Sequence, residues 1–280
     1  MIPRTFLIAV GIMFSVSCHA LTTHCEGKGP LLYLVVGGPA FSSWHIEPVQ
    51  KHLANRYRVC RWDMRGVGDN ASPDFEPDKR ALLQWLDDMR EVLPDEPVIL
   101  WGHSWGALQV LLFARAYPSR VRHLVLNNPV DPALHSLQHI EQKLYVHPDI
   151  DAKLSLDDIG TEKESRFLFR SKIAGYFMNA QQGWNYSAQF SQADTNNALN
   201  VAVWNDYRQM PLSDWDVHKL RAKVSGIISC RADVLQPESL NEYRRLLPDT
   251  NHYVLEDCAH FPWEENPAAY FRALDKLLDK

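Results

Sequence analysis

Val98-Ile99-Leu100-Trp101-Gly102-His103-Ser104-Trp105-Gly106-Ala107 is the stretch that decides the fold of this chain. A short β-favouring apolar run leads into Gly-x-Ser-x-Gly. A helix-length apolar stretch, Ala107 to Tyr117, follows it. That order reads as buried strand, sharp turn, buried helix. The two glycines keep side chains out of a crowded turn, so that Ser104 stands clear of the sheet. The serine then sits at a helix N-terminus, where free backbone N–H groups favour developing negative charge. The plain alternative is a glycine-rich strand-to-helix turn with an incidental serine. The residues downstream decide between the two.

Outward from this turn the chain alternates. Leu31–Val36 and Tyr57–Trp62 are apolar strands before it, and Val121–Leu126 is one after it. Between them, Ser42–Tyr57 carries Ile46, Val49 and Leu53 at helical spacing. Asp78 precedes a stripe of Leu82, Leu86, Met89 and Leu93. Alternating strands and helices predict a mostly parallel sheet flanked by helices, an α/β fold. The rhythm breaks after Pro132. Residues 133–223 show helical patches and aromatics but no clear strand, which predicts a helical cap inserted over the C-terminal edge of the sheet. It resumes with strands Val224–Cys230 and His252–Leu255 and helices Pro237–Leu247 and Pro267–Leu278. The expected organisation is a core in two parts, 21–132 and 224–280, around the cap.

The resumed strands supply partners for Ser104. Asp233 follows the first and His260 the second, and parallel strands place both loops at the edge where the Ser104 turn lies. A serine hydroxyl is a weak nucleophile near neutral pH. His260 takes its proton, and Asp233 fixes the imidazole tautomer and stabilises its cation. The oxyanion hole is expected from the backbone N–H groups of Gly38 and Trp105. Singly, Asp233 reads more readily as a solvated loop acid or a helix cap than as a catalytic one, and Asp257 is a rival acid three residues before His260. His103, beside Ser104, is expected to be structural. Phe41, Trp44, Phe261, Trp263 and Trp204 are expected to form an apolar substrate pocket, although any one of them could be core.

The 280 residues suit one large domain with an insertion. Hydrophobic residues at 46% and charged residues at 22% are ordinary for a globular protein, and a net charge of -5 without basic blocks argues against nucleic acid. No Cys/His spacing suits a metal, and no phosphate-cradling loop occurs, so no cofactor is expected. Residues 1–20 read as a secretory signal peptide: Arg4, an apolar run from Phe6 to Val16, and small residues before a cut after Ala20. Lipid attachment at Cys18 and a short membrane anchor are the alternatives. Export leaves Cys25, Cys60, Cys230 and Cys258 in an oxidising compartment, with Cys25–Cys60 and Cys230–Cys258 the favoured pairing and four buried thiols the other reading.

Gly37-Gly38-Pro39, Asp63-Met64-Arg65-Gly66-Val67-Gly68, Gly102-His103-Ser104-Trp105-Gly106 and His260-Phe261-Pro262-Trp263 together resemble the α/β-hydrolase superfamily. More narrowly they resemble the proline iminopeptidase (prolyl aminopeptidase) family of serine peptidases. The resemblance implies a cofactor-free hydrolase of α/β-hydrolase fold acting through Ser104, Asp233 and His260, with a helical cap, and the cap is expected after the sixth strand. It covers the sheet domain and not the insertion. Three departures stand out. Val36 and Ala40 replace the outer His and Gly of the family's His-Gly-Gly-Pro-Gly. The N-terminal sheet edge has room for less than the family's two early strands. The family's Trp-x-x-Trp-Glu, whose acid holds a substrate amine, becomes Val201-Ala202-Val203-Trp204-Asn205, with Asp206 as the nearest carboxylate. The expectation is a secreted or periplasmic serine hydrolase acting on a small ester, amide or short peptide. A carboxylesterase and a non-catalytic binding protein on the same fold are the alternatives.

Overall fold

The computed structural model describes residues 20–135, 140, 144 and 155–279. The signal-peptide reading, Cys18 included, falls almost wholly outside them. Seven strands form one sheet: β1 (Thr23–Glu26), β2 (Leu31–Val35), β3 (Arg58–Trp62), β4 (Val98–His103), β5 (Val121–Asn127), β6 (Val224–Cys230) and β7 (Asn251–Leu255). Their order is β1-β3-β2-β4-β5-β6-β7, and every neighbouring pair is parallel except β1 with β3. The central strands are buried along nearly their whole length, β4 without exception, which is why their sequences run apolar without alternation.

The sequence reading finds no strand before Leu31. β1 escapes it because Thr-His-Cys-Glu is a polar, largely exposed edge strand. Its antiparallel register sets Cys25 directly opposite Cys60, and the two form a disulfide. Cys230 and Cys258 form the second. The sheet edge is thus trimmed to one early strand, and the cap follows the fifth strand rather than the expected sixth.

Helices α1 (Glu47–Leu53), α2 (Ala81–Val92), α3 (Trp105–Ala116), α8 (Glu238–Leu246), α9 (Pro262–Glu265) and α10 (Pro267–Leu278) cover the two sheet faces. Each face has its own apolar core. Leu100, Leu108, Leu112 and Trp105 lie on one, and Leu34, Trp101, Ile228 and Tyr270 on the other. Between Pro132 and Val224 the described residues form helices α4 (Glu162–Gly175), α5 (Ala180–Ser187), α6 (Asn197–Gln209) and α7 (Asp214–Leu220). They are tied to the sheet edge by backbone bonds, Ser42 to Asp194, Asn196 to Ala40 and His260 to Tyr176.

Below the cap, His45 is buried among Phe41, Trp44, Phe190, Phe261 and Trp263, and its Nδ1–H donates to the Ser42 carbonyl at 2.7 Å. Burial, the largest influence, pushes its pKa down to about 4. A histidine whose folded pKa is depressed contributes stability that is fully present above its unfolded value of about 6.5 and lost as pH falls toward 4. Thermal unfolding followed from pH 7.5 to 4.5 is therefore expected to fall more steeply in the native protein than in His45→Gln. The difference should approach about 3 kcal/mol at the acid end.

Candidate active site

Strand order places the site. The chain leaves β2 for β3 on one side and returns to β4 on the other, so the loops after β2 and β4 part at their C-terminal ends and leave a crevice. Register levels those ends, with Val35 opposite Gly102. Gly37 and Ser104 are consequently neighbours. A Cβ on Gly37 would lie 2.7 Å from the Ser104 Cβ and 3.3 Å from its Oγ.

Ser104 has φ 55° and ψ −121°, a conformation that costs energy in any residue but glycine. Close packing holds it there. A Cβ on Gly102 would meet the Gly106 carbonyl at 2.5 Å, and one on Gly106 would meet the Val35 carbonyl at 2.2 Å. The Ser104 N–H donates to the Asn127 carbonyl, and helix α3 starts at the next residue.

The His260 ring stands beside Asp233, its Nδ1 at 3.0 Å from both carboxylate oxygens. Both side chains are almost fully buried. Asp233 also takes the Leu235 N–H at 3.1 Å. The rival acid, Asp257, is exposed on the outer side of the loop. The Cys230–Cys258 disulfide and the Ala232 N–H to Cys258 carbonyl bond clamp the two loops together.

Several residues hold His260 from behind. The His103 Nε2–H donates to the His260 carbonyl at 2.8 Å. Burial, and next the charge of His260, keep the His103 imidazole well below its ordinary range, so it is neutral. Asn128, with φ 38°, links three loops: its amide donates to the carbonyls of Ala259 (2.8 Å) and His260 (3.2 Å), and its oxygen accepts the Cys230 N–H at 2.7 Å. Tyr176, from the end of α4, stacks on the His260 ring at 4.6 Å and 24°. Glu265 accepts the N–H groups of Ala259 and Met178, while burial pushes its carboxyl up. Sequence reasoning misses Asn128, Tyr176 and Glu265. Only Asn128 carries a signal, an Asn-Pro step at a strand end.

Gly38 has φ 122° and lines the same cavity as Ser104 and His260. Its loop is fixed from two sides. Asp63 accepts the N–H groups of Ser43 and Asp69, and the Asn200 amide donates to the Pro39 carbonyl at 2.8 Å. A Cβ on Gly68 would strike the Asp63 carboxylate at 2.0 Å, which explains the glycine in Arg65-Gly66-Val67-Gly68. Trp105 opens α3, and its ring is buried, stacked on Trp85 at 5.9 Å and edge-on to Trp204 at 4.3 Å.

The expected aromatic pocket is mostly core. Phe261 and Trp263 are 2% and 3% exposed, and Trp263 donates its indole N–H to the His45 carbonyl. Trp263 packs on Trp101 of the sheet, and Phe261 on Phe177 and Tyr186 of the cap. Trp44 is half-buried against Phe190 at 4.8 Å, and none of the three borders the cavity of Ser104 or its neighbour. Trp204 lines the cavity with Ser104, and Phe41 lines the neighbouring one. Asp206 does neither. Its Oδ2 accepts the Leu82 N–H at 3.1 Å and caps helix α2, whose own cap residue, Arg80, offers no side-chain bond. One residue along a helix turns a side chain by about 100°, and two residues separate Asp206 from the Trp204 face. Among the described residues no cluster of three or more His, Cys, Asp or Glu could hold a metal ion.

A mostly parallel sheet, a Gly-x-Ser-x-Gly turn at its switch point and an Asp-oriented histidine on later loops define an α/β hydrolase. A family described as alpha/beta hydrolase fold matches residues 30–267, and the chain belongs to it. Relatives narrow the likeness. The chain is 23% identical to a proline iminopeptidase of Heyndrickxia coagulans over 266 residues, covering 91% of this chain and 92% of that one. It is 25% identical to bifunctional epoxide hydrolase 2 of Mus musculus, covering 90% of this chain and 52% of the relative. Among solved structures, the esterase RhEst1 from Rhodococcus sp. ECU1013 superposes with a TM-score of 0.67 over 92% of this chain and 94% of that one at 18% identity, a likeness of fold.

Proposed function

We propose that this hydrolase is a serine hydrolase that cleaves an ester or amide through an acyl-enzyme. Ser104 attacks the carbonyl carbon, His260 takes the hydroxyl proton and passes it to the leaving group, and Asp233 holds the imidazole in the required tautomer. The backbone N–H groups of Gly38 and Trp105 receive the oxyanion. A water then attacks the acyl-enzyme with His260 again as base, and Ser104 regains its proton. The observation that carries this reading is a buried His260–Asp233 pair whose imidazole borders the same cavity as Ser104 and Gly38. Two disulfides are consistent with an extracellular or periplasmic location, and the signal-peptide reading of residues 1–20 supports a secreted or periplasmic enzyme.

Proline iminopeptidases among the relatives favour a peptide substrate with a free amine. The cavity favours an ester. Asp206 is spent on capping α2, and no carboxylate lines the cavity among the described residues. Residues 21–280 assayed on a proline arylamide and on a short-chain 4-nitrophenyl ester decide between them, with Ser104→Ala as the control. Ester turnover abolished by the substitution is the expected result. Arylamide turnover abolished by it would restore the aminopeptidase version, and turnover indifferent to it would remove Ser104 from the chemistry.

Gly37 supplies a separate test. The methyl of Gly37→Ala would overlap the Ser104 side chain, and displacement of a nucleophile by about 1 Å costs on the order of 10²-fold in rate. Loss of that size in kcat with near-native far-UV circular dichroism is expected; a fully active variant would contradict the packing described.

A further inference from the structure

We infer that Glu265 is a positioning residue: it stitches the end of cap helix α4 to the His260 loop, so that the cap holds the catalytic imidazole in place. This deepens the serine-hydrolase reading and rests on it. Three consecutive cap residues meet the loop in step. Tyr176 covers His260, with ring centroids 4.6 Å apart and 24° between the planes, and its carbonyl accepts the His260 N–H at 2.9 Å. Phe177 stacks on Phe261 at 5.1 Å and 27°. The Met178 N–H donates to Glu265 Oε1 at 2.8 Å. Glu265 Oε2 accepts the Ala259 N–H at 2.9 Å.

These bonds close a circuit. It runs from the His260 N–H to the Tyr176 carbonyl and along the cap backbone to the Met178 N–H. It then crosses both carboxylate oxygens of Glu265 to the Ala259 N–H and returns through one peptide to His260. A side chain with two acceptor atoms and no donor is what such a gap takes. The carboxylate is itself well mounted. Pro262 opens the single helical turn α9, in which the Glu265 N–H donates to the Phe261 carbonyl at 3.1 Å. The next residue, Asn266, donates its amide to the Glu256 carbonyl at 3.1 Å and accepts the Ala269 N–H at the start of α10. Glu265 is therefore fixed to the core, and the cap end is fixed to Glu265.

The circuit bears on rate because of what it holds. Asp233 fixes the imidazole at Nδ1. The Tyr176 ring limits the tilt of the imidazole, and the Tyr176 carbonyl fixes the backbone that carries it. Both contacts come from one cap residue, and Glu265 anchors the chain two residues further on. Hydrogen bonds to a charged group are about twice as strong as neutral ones, so the carboxylate is the firmest part of the seam. Displacement of a reacting group by about 1 Å costs on the order of 10²-fold in rate. Glu264, beside it on the same turn, forms no side-chain hydrogen bond among the described residues.

The test is ester kinetics on the native protein and Glu265→Gln, with Glu264→Gln as the control. Glutamine offers one acceptor and turns an amide toward the second N–H. His260 serves both formation and hydrolysis of the acyl-enzyme, so its misplacement slows both. kcat should fall about 10- to 100-fold with KM within about threefold of native, and by the same factor on 4-nitrophenyl acetate and 4-nitrophenyl hexanoate. Fluorophosphonate labelling should slow by a similar factor yet run to completion, which separates a misplaced base from an unfolded fraction. Glu264→Gln should stay within a factor of about two. Glu265→Asp keeps the charge but is one methylene too short to reach both donors. It should show the same split, and it carries the test if the glutamine variant does not fold. Native kcat in a Glu265 variant overturns the proposal and leaves the acyl-enzyme standing. So does a loss carried by KM or differing between the two esters, or labelling that stops short while the remaining sites react at the native rate. A native protein that neither labels nor turns over either ester overturns the acyl-enzyme reading, and the positioning role falls with it.

Discussion

Asp233→Asn is expected to lower kcat about 10⁴-fold while leaving the fold intact. His260 Nδ1 now donates to a carboxylate that can only accept, which leaves Nε2 as the acceptor for a serine proton. An asparagine amide presented to Nδ1 is a donor. It turns the imidazole into the opposite tautomer, with Nε2–H aimed at the hydroxyl it should deprotonate. The backbone around position 233 has little reason to move. The side-chain oxygen of the substituted residue can still accept the Leu235 N–H, and the bond from the backbone N–H of position 233 to the Cys230 carbonyl is unaffected. Steady-state hydrolysis of the ester beside thermal melts checks both halves. Asp257→Asn is the control. It sits on an exposed loop, and a change within a factor of about two is expected. Equal losses at both positions would point to damage in the loop.

Cys230→Ser with Cys258→Ser is expected to cost both stability and activity. A bridge closing 28 residues restricts the unfolded chain by about 3–4 kcal/mol in the loop-entropy account, which for a chain of this size lowers Tm by about 10 °C. Its position adds a functional cost. Cys230 lies three residues before Asp233 and Cys258 two before His260, and the Cys230 N–H is bound by the Asn128 oxygen. Loosening the clamp lets acid and imidazole separate, so kcat should fall well below the range of Asp257→Asn at a temperature where the variant is still folded. The matching double substitution at Cys25 and Cys60 releases an edge strand remote from the cavity, and it should cost stability alone. Melts and ester kinetics on both variants test the contrast. Equal activity losses would remove the special role of the Cys230–Cys258 bridge.

The parts of the molecule legible in sequence are those where one residue type has one use. Uninterrupted apolar runs such as Leu31–Val35 and Val98–Trp101 suit only the central strands of a covered sheet, and that is where they lie. Gly-x-Ser-x-Gly between strand and helix fixes a turn because a Cβ at either glycine strikes backbone. Cys25 and Cys60 pair because neighbouring strands bring them opposite each other.

Aromatic residues are harder to place. A tryptophan satisfies a core and a pocket equally well, and Trp263 belongs to the core because a short helix after His260 turns it toward His45. Asp206 misleads for a related reason. Nearness to Trp204 in sequence says nothing about which face of α6 it occupies, and the need of α2 for an N-terminal acceptor decides it. Asn128 and Tyr176 are out of reach because their partners come from loops distant in the chain. A polar side chain advertises its chemistry in sequence but not its neighbours.

The central claim is that Ser104 is the activated nucleophile. The most direct measurement is labelling of residues 21–280 with a fluorophosphonate, followed by intact mass and peptide mapping. A single adduct on Ser104, absent in Ser104→Ala and slowed strongly in Asp233→Asn, is the predicted result. A folded protein that takes no label, or takes it on a residue other than Ser104, would contradict the account.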